Sequence, residues 1–236
     1  ELADQNKTSI TYPSPRLTRI SDAERFRFSL VTHEDVRKIV LRSPSNKAPG
    51  PDKVSMQCLK YTLETIIDPV ADIINCPLMT STYPTSWKLA EVIPLHKEGD
   101  PDNASNNRPV SLLPNLSKIC DKIVLNQFTD YLTEHELVTK HQSGNRKFHS
   151  TETLNIAVTD ILLEAIDKQQ LSIIVFLDLS EAFDSVQHDI LLNEIMELGV
   201  SKEVLNWFKS YLSNRSQYVR IGDATSTCAR LEHGIP

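Results

Sequence analysis

The alternation of apolar and polar positions divides the chain into short blocks with distinct periods. In "THEDVRKIVLRS", Val36, Ile39 and Val40 form a stripe at helical spacing, and Thr32 and Asp35 sit at capping-box distance with Asp in place of Glu. Residues 1–31 show only weak periodicity and read as an approach segment. The breaker cluster "PSNKAPGPDKVS" predicts a loop over 44–55. Leu59, Leu63, Ile66, Ile67, Val70, Ile73 and Ile74 then recur every three or four residues, which predicts a helix from Met56 to Ile74 in spite of Pro69. Two β-like runs, around 90–96 and 108–113, flank a polar, turn-rich stretch and predict an antiparallel hairpin. Helical periods follow over 115–137, 150–167, 190–198 and 201–212, the third closed by Gly199. Residues 217–221 and 225–231 read as strands around Gly222–Asp223.

One block has a different character. In "SIIVFLDLSEAFDSV", residues 172–186, the apolar run Ile173–Leu177 predicts a strand over 172–178 buried on both faces, with Phe176 and Asp178 on the same side. An ionised carboxylate ending such a strand costs several kcal/mol unless a cation or donor meets it. A divalent metal is one solution, because Mg²⁺ takes oxygen ligands and needs few protein carboxylates. The other is an aspartate that caps a turn or helix. The strand and its following turn are expected to leave Asp178 exposed at a cleft. Helices, a hairpin, more helices and then a strand make an α+β fold, which by itself implies no function.

Composition narrows the classes. A chain of 236 residues with 40% hydrophobic content can fill one large core or two small ones. Six glycines against thirteen prolines favour many element boundaries over flexible linkers. The four cysteines, Cys58, Cys76, Cys120 and Cys228, have no C-x-x-C spacing, so they read as buried or half-buried thiols of a reducing compartment rather than a zinc site. No apolar run approaches the ~18 residues of a membrane span. The first residue is Glu1, so the lack of a signal peptide carries no weight. The net charge of −6 does not advertise a nucleic-acid binder. Its distribution is more informative: residues 1–60 carry 11 Lys/Arg against 7 Asp/Glu, the remainder 14 against 24. Between Glu136 and Glu152 there is no acid, while Lys140, His141, Arg146, Lys147 and His149 cluster there. That loop suits a phosphate backbone, or simply solvent.

Five stretches in order resemble the reverse transcriptases of non-LTR retrotransposons, most like the jockey type. "FLDLSEAFDSVQHDILL" is similar to their F-x-D-x-x-x-A-F-D-x-V-x-H motif, and "NKAPGPDKVS" to K-x-x-G-P-D-G-I. "PTSWKLAEVIPLHKEGDPDNASNNRPVSLLPNLSKICDKIV" resembles W-x-x-A-x-V-x-P-L-x-K-x-G-D followed by R-P-I-S-L-L and K-x-x-E. "HQSGNRKFHSTET" is similar to Q-x-G-F-R-x-x-x-S-T, and "HGIP" to the start of G-V-P-Q-G. The resemblance covers about residues 30–236. Lys53 stands where Gly is usual, Asn145 where Phe is usual and Asp121 where Glu is usual. No Asp-Asp pair occurs in the chain, whereas the family uses one for its remaining catalytic carboxylates.

The resemblance implies a right-hand polymerase fold: an approach segment at 1–31, a fingers-like region at 32–170 and part of a palm at 171–236, ending before the Asp-Asp motif. It implies RNA-directed DNA synthesis by two-metal nucleotidyl transfer. Asp178 would be the catalytic metal-binding aspartate, with the Leu179 carbonyl as a second ligand, for two Mg²⁺ ions or alternatively Mn²⁺. Phe183 would lie under the nucleotide sugar and screen a 2′-hydroxyl; an ordinary core phenylalanine is the plainer reading. Lys97 and Arg108 would approach the triphosphate, unless they are solvated charges on a hairpin. Lys47, Arg146 and Lys147 would contact nucleic-acid phosphates, and Asp184 would support the site from behind. The partners implied are an RNA template, a DNA primer and dNTP, with no membrane, and an upstream endonuclease in the full-length protein. The implied location is intracellular, nucleus and cytoplasm, as a ribonucleoprotein. Residues 1–236 alone are expected not to synthesise DNA. A group II intron-type enzyme, and an inactive remnant or co-opted RNA-binding fragment, stay open as alternatives.

Overall fold

The first two α-helices start at side-chain caps that the sequence supplies. A computed structural model describes residues 21–139, 141–179 and 182–235, so most of the 1–31 segment, and Lys140, lie outside the described residues. Helix α1 spans His33–Arg42. The Thr32 hydroxyl accepts from the Asp35 N–H, and the Asp35 carboxylate accepts from the Thr32 N–H at 3.0 Å. The box therefore closes with an acid one methylene shorter than usual. Helix α2 spans Met56–Thr80, begins at the Ser55 cap and runs past the expected end at Ile74. Pro69 and Pro77 both lie inside it. An interior proline costs a helix about 3 kcal/mol, but the buried stripe Leu59, Leu63, Ile67, Val70, Ile74 and Leu78 continues through both. Burial outweighs propensity.

That stripe packs against Val36 and Val40 of α1, against Ile119, Cys120, Ile123 and Val124 of α3 (Asn115–Glu134), and against Trp207 of α6 (Lys202–Leu212). Helix α5 (His188–Glu197) ends before Gly199, whose φ of 80° turns the chain into α6. Residues 21–31 are tied on by two clasps. The Phe26 N–H donates to Gly199 and the Ser201 N–H to Phe26, while Asn75 exchanges both its amide bonds with the Val31 backbone.

Among the described residues the sheet is five-stranded and mixed. Strand β1 (Leu89–His96) pairs antiparallel with β2 (Asn107–Leu112), which forms the expected hairpin, and parallel with β3 (Arg215–Ile221). Strands β4 (Ala224–Thr225) and β5 (Ala229–Leu231) both pair antiparallel with β3. Fold class α+β is thus observed, with a mixed sheet. The parallel pairing of β1 and β3 joins segments about 125 residues apart, which local periodicity does not encode.

Two compact units divide the chain, Glu1–Phe128 with Phe183–Pro236, and Thr129–Ala182. In the second unit, α4 spans Thr151–Asp167 and is capped by a Ser150–Thr153 box, and none of its residues is buried. Residues 171–179 form no strand, against the sequence expectation. Phe176 and Leu177 are 88% and 91% exposed, so Ile173–Leu177 is not a doubly buried strand. The reason is that a strand is made by its ladder partners; among the described residues none pairs with this segment. The cysteine expectation also needs correction. All four are free, but Cys58, Cys76 and Cys228 are exposed and only Cys120 is buried. Cys58 and Cys76 fall on the outward face of α2, beside its buried stripe.

Candidate functional site

The hairpin orders two of the candidate cations by register. Arg108 is paired with Leu95, and two residues further, just past the strand ends, the Lys97 N–H donates to the Asn106 carbonyl at 2.8 Å. Side chains alternate along each strand, so Leu95 and Arg108 share one face, and carrying the alternation one residue past the end of β1 puts Lys97 on it too. Both cations are exposed, and the Lys97 ammonium lies 3.7 Å from the Glu98 carboxylate. The connecting loop is held by side-chain amides: Asn106 donates to the Asp100 carbonyl, and Asn107 to those of Pro101 and Asn103. Gly99, at φ 77°, lies where a Cβ would meet the Asn106 amide at 2.8 Å. The hairpin tip is built to a defined shape.

The same face carries an acid deep in the sheet. Glu91, two positions before Ile93 and four before Leu95, is 1% exposed. Its carboxylate accepts from Lys53 Nζ at 2.8 Å, Tyr218 Oη at 2.9 Å and Arg220 Nε at 2.6 Å. The Lys53 hydrogen bond, with those from Arg220 and Tyr218, holds its pKa down at about 2 against the opposing effect of burial. One buried carboxylate therefore fixes two cations on the sheet face that also bears Lys97 and Arg108.

The loop over 44–55 docks on the end of β2. Asn115, 2% exposed, donates to the Val54 carbonyl at 2.7 Å. A Cβ on Gly50 would come within 2.4 Å of the Leu113 and Pro114 backbone, so only glycine fits. Lys53 has φ 56°, a left-handed conformation that favours glycine. The departure from the family's Gly at this position is thereby explained: the strain is offset by the bond to Glu91. Lys47, on the same loop, is exposed.

In the second unit, Asp178 and Leu179 lie on the exposed segment 171–179. Arg146 turns back on its own loop, donating from Nη1 to the Thr139 carbonyl at 3.1 Å, while Lys147 is exposed. In the first unit, Phe183 is 64% exposed and Asp184 is exposed beside it. Among the described residues, no three His, Cys, Asp or Glu side chains gather as a metal site. The hard oxygen donors of Asp178 and of the Leu179 carbonyl suit Mg²⁺ by type, and would supply at most two ligands of an octahedral set.

Sequence reasoning gave no role to four positions that the structure makes prominent. Glu91 was visible only as an acid inside an apolar run. His188, the last residue of the F-x-D-x-x-x-A-F-D-x-V-x-H stretch, bonds through Nε2 to the Gly234 carbonyl at 2.7 Å. Asp121 accepts from Tyr83 Oη at 3.0 Å, and burial pushes its carboxyl up to about 7 although Tyr83 and Arg215 oppose this. Arg215, 3% exposed, stacks on Tyr211 at 5.0 Å and donates from Nη1 to the Tyr211 carbonyl. Its Nη2 has no hydrogen-bond partner among the described residues.

The family model of the reverse transcriptase (RNA-dependent DNA polymerase) matches residues 95–235. The chain is 32% identical over 204 residues to "Probable RNA-directed DNA polymerase from transposon BS" of Drosophila melanogaster, covering 86% of this chain and 22% of that protein. It is 31% identical over 209 residues to "RNA-directed DNA polymerase from mobile element jockey" of the same species, covering 88% and 23%. "Probable RNA-directed DNA polymerase from transposon X-element", also from that fly, is 30% identical over 203 residues, covering 86% and 22%. The chain spans less than a quarter of the length of these relatives. Among the described residues no helix is long and apolar enough to cross a membrane.

Proposed function

Because the chain belongs to the reverse transcriptase (RNA-dependent DNA polymerase) family, of the kind carried by jockey-like non-LTR retrotransposons, we propose that it contributes the nucleotide-binding part of an RNA-directed DNA polymerase. Residues 32–170 serve as fingers after an approach segment at 1–31, and 171–236 as part of the palm of a right-hand polymerase. The substrates are an RNA template, a DNA primer and dNTP, and the full-length protein carries an endonuclease upstream. It works inside the cell, in nucleus and cytoplasm, as a ribonucleoprotein.

The observation that carries this reading is the shared face of Lys97 and Arg108 on a hairpin with a fixed tip. Two cations so placed bind the triphosphate and offset the charge that collects on pyrophosphate as it leaves. Arg108 can grip two oxygens at once, whereas Lys97 acts as a point charge. Phe183 lies against the sugar, where a rigid ring leaves no room for a 2′-hydroxyl. Asp184 supports that turn. Lys47 and Lys147 hold nucleic-acid phosphates through charge, and Arg146 does so with the part of its guanidinium that its loop leaves open.

Asp178 and the Leu179 carbonyl would hold a divalent ion, Mg²⁺ or alternatively Mn²⁺. When bound, two such ions supply charge stabilisation to the attacking and leaving oxygens. The role of the chain is to present its carboxylate oxygens to the ion from an exposed segment.

The test is primer extension on an RNA template by a polypeptide that carries these residues together with an Asp-Asp motif. Lys97→Ala and Arg108→Ala should each raise KM for dNTP about tenfold, the loss of one charge-assisted contact of ~1.4 kcal/mol. Unchanged KM in both variants would remove the hairpin from the nucleotide site.

A further inference from the structure

The turn that carries Phe183 is latched to the "HGIP" segment by three hydrogen bonds. The Ile235 N–H donates to the Phe183 carbonyl at 3.1 Å, and the Gly234 N–H to the Val186 carbonyl at 2.9 Å. The third is the His188 bond to the Gly234 carbonyl at 2.7 Å. A carbonyl only accepts, so Nε2 of His188 carries the proton and donates. His188 opens α5, which anchors in the core through Ile195, and its imidazole is half-buried. The donor is therefore presented from a rigid element.

Gly234 is required on two counts. Its φ is 82°, and a Cβ there would stand 3.1 Å from Asp184 Cα and 3.3 Å from the Phe183 carbonyl oxygen. The segment thus lies directly on the Phe183–Asp184 backbone, and a Cβ at Gly234 would both strain its φ and push the two apart by a few tenths of an ångström. Two sequence motifs that are about 50 residues apart meet at this point, with His188 as the side chain that joins them.

We infer that His188 is a positioning residue: it holds the Gly234–Ile235 segment against the Phe183–Asp184 turn and so sets the place of the Phe183 ring. The latch itself stands on geometry. Its consequence for nucleotide choice rests on the polymerase reading above. His188 does not touch substrate; it acts through Gly234.

Two measurements separate these levels. In this chain, amide hydrogen exchange at Gly234 and Ile235 reports the latch directly. His188→Phe keeps a ring and removes the donor, and should accelerate both amides roughly three- to tenfold while the α6 amides stay unchanged. His188→Gln keeps an N–H and should restore slow exchange. Gly234→Ala forces the segment away with His188 intact and should match His188→Phe. Exchange in His188→Phe equal to that of the parent overturns the latch, as does failure of His188→Gln to restore it. The second measurement is primer extension with dNTP and rNTP in a polypeptide carrying an Asp-Asp motif. His188→Phe should narrow the dNTP:rNTP ratio of kcat/KM roughly three- to tenfold, mainly through KM. An unchanged ratio with accelerated exchange overturns the consequence for nucleotide choice and leaves the latch standing. No extension by the parent protein refutes the polymerase reading, and the exchange result still decides the latch.

Discussion

Lys53 reaches Glu91 with Nζ 2.8 Å from Oε2, from a backbone at φ 56°. A residue in a conformation suited to glycine thus supplies a counter-charge to a carboxylate that is 1% exposed.

Removing that ammonium should cost more than relaxing the backbone gains. Lys53→Met is expected to lower stability by about 1–3 kcal/mol, since Glu91 keeps Arg220 and Tyr218 but loses one charged partner. Lys53→Gly should cost less, because it also releases the left-handed strain. Urea unfolding at neutral pH checks the order. Equal stability for Lys53→Met and parent would refute it.

Glu91 and Asp121 should give opposite pH slopes. Glu91 has its pKa lowered to about 2, so its stabilisation is complete above its ordinary value of 4.5 and is lost as pH falls towards 2. Asp121 is pushed up to about 7, so the folded state holds that proton more tightly than the unfolded chain does. Stability from this group is greatest below its ordinary 3.8, falls as pH rises from there to about 7, and is level above. Glu91→Gln should flatten the acid limb and Asp121→Asn the limb between about 4 and 7. The difference in urea midpoint between parent and variant across these windows is the readout, and a pH-independent difference contradicts the assignment.

Gly50→Ala should destabilise by about 1–3 kcal/mol, because its Cβ would sit 2.4 Å from backbone that cannot move as a side chain does. A thermal melt of the variant within a degree of the parent would mean that the loop over 44–55 is not docked on Pro114.

Phe183→Ala should leave DNA synthesis measurable while raising ribonucleotide incorporation, and Asp178→Asn should abolish synthesis, both in a polypeptide carrying an Asp-Asp motif. Incorporation ratios from primer extension decide the first, and full activity in Asp178→Asn would refute the second.

Local rules made much of this fold legible. Thr32 with Asp35, Ser150, Gly199 and the α2 stripe each mark a boundary or a face through neighbours within four residues, and the structure places elements there. The hairpin was legible because turn formers separate two β-like runs. Segment 172–178 was misread because apolar residues state a need for burial without naming the layer that meets it. The Glu91 cluster was illegible for a related reason: Lys53, Tyr218 and Arg220 come from distant segments, the latter two brought by the parallel pairing of β1 with β3 and Lys53 by the docking of its loop beside Asn115. Lys97 and Arg108 could be proposed from motif resemblance, but their common face follows from register alone.

The exposed run Leu171–Leu177 has a consequence for handling the protein in solution. Its seven residues, L-S-I-I-V-F-L, contain no charge and no proline, and are rich in β-branched and aromatic side chains. Exposed segments of this kind stack between chains as cross-β ribbons, and a flanking charge acts as their gatekeeper. Asp178 is that gatekeeper. Asp178→Asn therefore alters colloidal behaviour as well as chemistry, and light scattering that climbs with concentration will accompany it. Asp178→Glu, which keeps the charge next to the run, is the control that separates a dead catalyst from a self-associating one.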